Sequence, residues 1–288
     1  MDSSIKCNVY KFGEKVTFLV ISCDAYSDCW KGFFHGLRKY WPDCPFQVAI
    51  VSNFKDAGEP GVRTIKIGED ADWSSNLLMA LDRIETPYVL LTCEDGWMTT
   101  PVNTGAILDF VRVLDQDRAD YIRLHPCPPP DKDFLEDARL GLLADHASYR
   151  TSMQMPLWRL SVLKELLRPG ENAWEWELNG TIRSRAYHDR FLCVKVLDRV
   201  NGLPRYEGID YINSAVVKRK WSRMAIDYSE KEKLGIDFSR RPVESRWEEF
   251  VRTHRIGQLI ERLSYGLHNP RRVLRRLRLS LGVTSGPS

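Results

Sequence analysis

The chain has 288 residues, of which 43% are hydrophobic and 28% charged. That length and balance suit one large α/β domain or two small ones, and exclude a disordered or collagen-like chain. The formal net charge is +3, but five Arg and no acidic residue fall between Gly266 and Ser288, leaving 37 basic against 39 acidic residues elsewhere. The body is therefore near neutral, and its basic character belongs to the C-terminal segment.

Val16 to Cys23 (VTFLVISC) is a continuous apolar run ending in the polar turn Asp24-Ala25-Tyr26-Ser27, as expected for a parallel strand buried on both faces. Trp30, Phe33, Phe34, Leu37 and Trp41 follow helical spacing, and Pro42 stops it. Phe46 to Val51 and Val62 to Ile67 read as strands. Trp73 to Ile84 reads as a helix with Ser74 or Ser75 near its cap. Tyr88 to Thr92 is a strand running into Cys93-Glu94-Asp95-Gly96, followed by a helix over 102–114 and a short strand over 121–124. The Pro-rich stretch 126–130 opens a charged loop lasting to about Tyr149. Pro156 to Leu167 is expected to be helical. Asn172 is placed to cap a second helix over ENAWEWELNG, and 191–197 and 211–218 to form strands. From about Arg240 to Leu263 the spacing is again helical. Strands alternating with helices predict an α/β fold with a mostly parallel sheet flanked by helices, and a C-terminal helical extension over 240–288. In such sheets ligands bind at the carboxyl ends of strands, which sets Ser22-Cys23-Asp24 and Glu94-Asp95 on one edge.

Seven scattered Cys without a CxxC suggest reduced thiols, and no Cys or His pair has zinc-ligand spacing. The opening residues lack a secretory leader pattern, and no run approaches the ~18 apolar residues of a membrane span. A cytoplasmic chain is expected. The dinucleotide GxGxxG, the P-loop, HExxH and GxSxG are all absent, which removes most support for dehydrogenase, kinase, zinc-protease and hydrolase readings. A nucleotidyltransferase would need a Gly- and Lys/Arg-rich loop after the first strand, and SCDAYSDCWK does not supply one.

Two adjacent carboxylates at the mouth of a buried strand, Glu94 and Asp95, suit a hard cation shared with a diphosphate, although such a pair also serves as a plain turn. Glu175 and Glu177 are two apart and so lie on different faces of a helix. The helix dipole favours acids near its start, and either is also a candidate general base. Trp174 and Trp176 are candidate walls for a sugar ring.

The strings VTFLVISCDAYSDCWKGFFHGLRKYWPDCPFQVAIVSN and IGEDADWSSNLLMALDRIETPYVLLTCEDGWMTTPV resemble bacterial glycosyltransferase-like proteins of lipopolysaccharide, capsule and other surface-polysaccharide clusters. MPLWRLSVLKELL and ENAWEWELNGT are similar to a later block of the same group, so the resemblance covers about residues 16–220. It implies a GT-A-like catalytic domain over 1–239, a nucleotide-sugar donor and a glycan or glycolipid acceptor. Carried over, Ser22, Cys23, Asp24 and Tyr26 line the nucleotide pocket, and Trp73, Ser74 and Asn76 lie beside the donor. Glu94 and Asp95 stand where the group's DxD metal motif falls. The chain reads C-E-D-G there, so either Mn²⁺ or Mg²⁺, or basic side chains or a helix N-terminus, carries the diphosphate charge. Glu177, with Glu175 as the alternative, matches the acidic base of inverting enzymes, and Trp174 and Trp176 then face the acceptor. The missing DxD also leaves open a binding module that kept the fold without the chemistry.

In HNPRRVLRRLRLSLG, Val273, Leu274, Leu277 and Leu281 share one helical side, and the arginines between Arg271 and Arg278 lie mostly off it. Such a segment suits the anionic inner face of a membrane, or else a solvated or partner-packed helix. Nucleic acid is not an expected partner, because the body is not basic and no nucleic-acid motif accompanies the tail.

Overall fold

A computed structural model describes residues 12–212 and 214–253. The chain divides into two compact units, Met1–Ala215 with Lys233–Ile236, and Val216–Glu232 with Asp237–Ser288. The expected helical region from 254 onward, including the basic segment Arg271–Arg278, lies outside the described residues.

The first unit is built on β1 (Val16–Ile21), α1 (Trp30–Tyr40), β2 (Gln47–Ser52), β3 (Val62–Lys66), α2 (Trp73–Leu81) and β4 (Tyr88–Cys93). It continues with α3 (Thr104–Asp115), β5 (Tyr121–Arg123), β6 (Lys132–Asp133), β7 (Leu140–Leu142) and β8 (Pro156–Arg159). Next come α4 (Leu160–Leu166), α5 (Ala173–Arg183), β9 (Phe191–Val194), β10 (Asp198–Val200) and β11 (Leu203–Arg205). Nine strands form one sheet in the order β3-β2-β1-β4-β8-β5-β9-β7-β6. The block β3-β2-β1-β4 is parallel throughout, and β5 and β9 are parallel. Strand β8 runs antiparallel between β4 and β5, so β1, β4, β5 and β9 all point to the same edge. The α/β class with a mostly parallel, mixed sheet flanked by helices is the one the alternating pattern predicts.

All six residues of β1 are buried, and side-chain alternation splits them between the two faces. Leu19 and Ile21 join Leu77, Leu81, Leu163 and Trp176 in a core under α2, α4 and α5. Phe18 turns the other way, onto Phe33 (6.1 Å between centroids) and Trp41 (5.9 Å). The Trp41 indole N–H reaches Thr104 at the start of α3 (2.9 Å), which fixes that layer.

Several local expectations are revised, among them the strand over 211–218, of which only residues 216–217 lie in a strand. The stretch 156–167 is not one helix but a strand followed by a seven-residue helix. Leu157 pairs with Leu90 on one side and Ile122 on the other, and Trp158 packs on Tyr121 and Phe191. Filling the gap between β4 and β5 outweighs the helical spacing of these residues. The stretch 126–149 is not loop alone, because β6 and β7 extend the sheet from it. The cap of α2 is Asp72, whose carboxylate accepts from the Ser75 N–H (2.9 Å) and hydroxyl (2.6 Å). Asn172 caps α5 as expected, in a full capping box with Glu175.

The second unit contains β12 (Val216–Val217), β13 (Lys220–Trp221), α6 (Arg223–Lys231) and α7 (Arg246–Thr253). The helix α6, absent from the sequence expectations, is capped by the Ser222 hydroxyl, which accepts from Ala225 N. Glu244, nearly inaccessible, receives the Arg223 N–H (3.0 Å) and the Arg252 guanidinium (2.6 Å). Among the described residues, no helix is long and apolar enough to cross a membrane.

Candidate active site

The first unit's strand ends bring Ser22–Asp24, Asn53–Lys55, Glu94–Asp95 and His125 to a single edge. The Asp24 carboxylate bridges the first two. It accepts backbone N–H groups from Asn53 (3.0 Å), Phe54 (3.2 Å) and Lys55 (3.2 Å), while Asp24 N donates to Asn53 Oδ1 (3.0 Å). A carboxylate held by three amides keeps the β1 and β2 termini together. The Ser22 hydroxyl accepts from the Trp30 indole (2.7 Å), tying the same turn to α1. Tyr26 stands on the 3₁₀ turn between them, its N–H donating to Cys23 O (3.0 Å).

The segment around Trp73, Ser74 and Asn76 is fastened mainly to α5. The Ser74 N–H (3.1 Å) and hydroxyl (2.8 Å) both donate to Glu171 O, and Trp73 packs on Trp176 at 5.5 Å. Asn76 donates to Asp70 (2.5 Å) and accepts from Ala71 N (3.1 Å). The Asp70 charge acts weakly on the Cys23 thiol, which sets this segment within electrostatic reach of the strand-end site.

Glu177 stands apart from Glu175. Glu175 is exposed and closes the capping box on Asn172 N (3.2 Å). Glu177, largely buried, accepts the Met153 N–H at 2.8 Å and a hydrogen bond from the Ser152 hydroxyl. Burial pushes its proton affinity up. The Met153 and Ser152 hydrogen bonds and the charge of Arg123 offset this only in part. Glu94, Asp95 and Glu177 all raise the Cys93 thiol further, after burial itself, so the three carboxylates share one neighbourhood around Cys93. Glu94 also acts on Cys23, whose thiol is raised chiefly by burial.

Arg123 is a positive group whose charge acts on Glu177. Its guanidinium is fully buried and donates to Tyr149 O (2.9 Å), to Pro128 O and to the Cys193 sulfur (3.4 Å). The two tryptophans differ. Trp174 is 45% exposed, whereas Trp176 is wholly buried between Trp73 and Trp158 and offers no ring face to an acceptor.

Five polar residues that sequence reasoning passed over complete the recess. Tyr206 donates to Asp210 Oδ1 (2.7 Å) and accepts from His125 Nδ1 (2.7 Å). The Tyr211 hydroxyl donates to Gln154 Oε1. Tyr211 is raised well above the ordinary tyrosine range, first by burial and then by Tyr206, Asp95 and Cys93. Of the five, only His125 carried a signal, since it follows β5 as Glu94 follows β4. Among the described residues, no three His, Cys, Asp or Glu side chains converge closely enough to hold a metal by themselves. Glu94 and Asp95 suit a hard cation only if substrate phosphates supply the remaining oxygens.

No protein-family model matches the chain, and no curated protein does. Among solved structures, 146 chains are similar. S. aureus TarS 1-349 in complex with UDP-GlcNAc is 15% identical over 78% of this chain and 68% of that one, with a TM-score of 0.44. The mannosyltransferase PcManGT from Pyrobaculum calidifontis in complex with GDP-Man and Mn²⁺ is 13% identical over 74% and 60%, with a TM-score of 0.44. Another structure of TarS 1-349 matches over only 59% of its length. Likenesses this distant carry no argument about activity, which rests on the chain's own residues.

Proposed function

We propose that the first unit transfers a sugar from a nucleoside-diphosphate sugar to a hydroxyl of a glycan or lipid-linked glycan, with inversion, on a GT-A-like fold. The observation that carries this reading is Glu177. It is a carboxylate of raised proton affinity, fixed by a backbone N–H, and its charge acts on Cys93 at the end of β4 as those of Glu94 and Asp95 do. A base of this kind takes the proton of an acceptor hydroxyl as its oxygen attacks the anomeric carbon, and the nucleoside diphosphate leaves from the opposite face. The nucleoside then lies along Ser22–Tyr26, with Asn76 at its border, and the diphosphate near Glu94 and Asp95. Two acids facing a diphosphate need a positive partner; Asp95 and Glu94 would hold Mn²⁺ or Mg²⁺ there, and the ion would supply charge stabilisation for the leaving diphosphate. Trp174, the exposed tryptophan of α5, is the one to meet an acceptor ring. Surface-polysaccharide synthesis at the cytoplasmic face of a membrane, reached through Arg271–Arg278, is the setting this reading assigns.

The test is a donor panel starting with UDP-GlcNAc and GDP-Man, with and without Mn²⁺, read by release of nucleoside diphosphate and by thermal shift. One nucleotide class is expected both to stabilise the protein and to turn over with a glycan acceptor. Absence of turnover and of any thermal shift across UDP-, GDP-, CMP- and TDP-sugars would refute it. A thermal shift without turnover would favour a binding module.

A further inference from the structure

Glu177 and the Glu94–Asp95 pair come from separate parts of the chain, and the β4–β8 ladder that relates them stops at Leu90–Leu157, short of both. Glu177 is anchored on residues 152–153, through the Met153 N–H and the Ser152 hydroxyl. The next residue, Gln154, receives the Tyr211 hydroxyl. Tyr211 belongs to a segment laid along the loop that carries the acids. Thr99 N donates to Asp210 O (3.0 Å), Ile212 N to Trp97 O (2.9 Å) and Ala215 N to Asp95 O (2.8 Å). A Cβ on Gly96 would come within 3.3 Å of the Tyr211 ring, so the ring lies directly on the residue after Asp95.

Tyr211 is itself held from a third side. Ile209 N donates to Leu124 O (3.0 Å), and the His125 ring lies 5.2 Å from the Tyr211 ring. Tyr206, hydrogen-bonded to both His125 and Asp210, closes this corner. Gly208 permits the approach, because a Cβ there would stand 2.1 Å from Leu124 O. The hydroxyl of Tyr211 is therefore aimed from a fixed platform.

We infer that the Tyr211–Gln154 hydrogen bond is a strut that sets the separation between the base-bearing segment 152–154 and the Glu94–Asp95 loop, making both side chains positioning residues for transfer. The inference rests on Glu177 being the base. Reacting groups must be placed to within a fraction of an ångström, and an error of about 1 Å costs on the order of a hundredfold in rate. A strut also keeps water from the space between the two segments.

Full-length Tyr211→Phe, Gln154→Met and the double variant test this. Each single change is expected to lower kcat for transfer about tenfold to a hundredfold with donor Kd within about twofold. The double variant should be no worse than the worse single, because all three remove the same bond. The acid limb of the kcat–pH profile should also move to lower pH, since water admitted beside Glu177 returns it toward the ordinary carboxylate range. Single variants with kcat within about twofold of wild type, or losses that multiply in the double, overturn the inference while the wild type still turns over. A wild type inactive with every donor defeats the functional reading instead. In that case the strut is judged without donor, by the melting temperatures of Glu177→Gln in the wild-type and Tyr211→Phe backgrounds. The gain that Glu177→Gln brings at pH 8 should shrink in the Tyr211→Phe background, and an equal gain in both overturns the inference.

Discussion

Replacing Glu177 by Gln separates chemistry from stability in opposite directions. The amide keeps an oxygen for the Met153 N–H and removes only the charge that burial opposes. Loss of a general base costs on the order of 10²–10⁴ in kcat, with donor affinity little changed. Stability should move the other way. Glu177 binds its proton more tightly folded than unfolded, so its contribution is fully present below the unfolded value of about 4.3 and is lost as pH rises through the folded value. Wild type and Glu177→Gln should therefore melt together near pH 4 and diverge upward from there, the variant becoming the more stable. Every tenfold in proton affinity is about 1.4 kcal/mol, which moves Tm by about 3–6 °C for a unit of this size. Paired thermal melts from pH 4 to 8, with kcat measured on the same samples, check both halves. A variant that keeps more than about a third of its kcat, or a Tm difference that does not grow with pH, would sink the assignment of Glu177 as a buried base.

Asp120 is nearly inaccessible between Arg159 (2.7 Å) and Arg190 (2.8 Å). Asp120→Ala should cost about 3 kcal/mol, at the low end for a broken buried pair because both arginines are about a quarter exposed, and urea midpoints measure it. Asn172→Ala removes the α5 cap and should cost about 1 kcal/mol in the same assay, with kcat within about twofold of wild type. Asp95→Asn tests the diphosphate side by titration calorimetry. With Mn²⁺ present, donor affinity should fall about tenfold or more, and EDTA should do the same to wild type. Tighter donor binding by Asp95→Asn in EDTA would mean that the acid only repels the phosphates.

The parallel half of the sheet is legible because β1 and β4 are unbroken apolar runs that end on polar turns. The same rule finds Ser22–Asp24 and Glu94–Asp95, and the Asn172 cap is visible in its spacing to Glu175. Strand β8 is not legible. PLWR passes into LSVLKEL without Gly or Pro, and only pairing on both sides with Leu90 and Ile122 decides that its first four residues are extended. Trp73, Ser74 and Asn76 look like a ligand-facing block, yet Ser74 spends both its donors on Glu171 O and Trp73 packs on Trp176. Tyr206, Asp210 and Tyr211 escaped notice for a related reason. Their positions follow from hydrogen bonds to residues 97–99 and 124–125, far earlier in the chain, which no local spacing encodes.

The two edges of the sheet carry different groupings of charge. At the amino edge, opposite charges meet. Asp120 and Asp117 are matched by Arg159 and Arg190, and Asp115 by Lys15 at 2.6 Å. At the carboxyl edge, Glu94, Asp95 and Glu177 crowd one thiol, and the positive charge felt by Glu177 is Arg123, whose own hydrogen bonds go to carbonyls and a sulfur. Like charges held near one another raise the energy of the ligand-free protein, and binding a cation or accepting a proton relieves it. Several of the sheet's ion pairs thus lie at its amino edge, while the acids that act on Cys93 lie with the strand ends and the Tyr211 segment at the carboxyl edge.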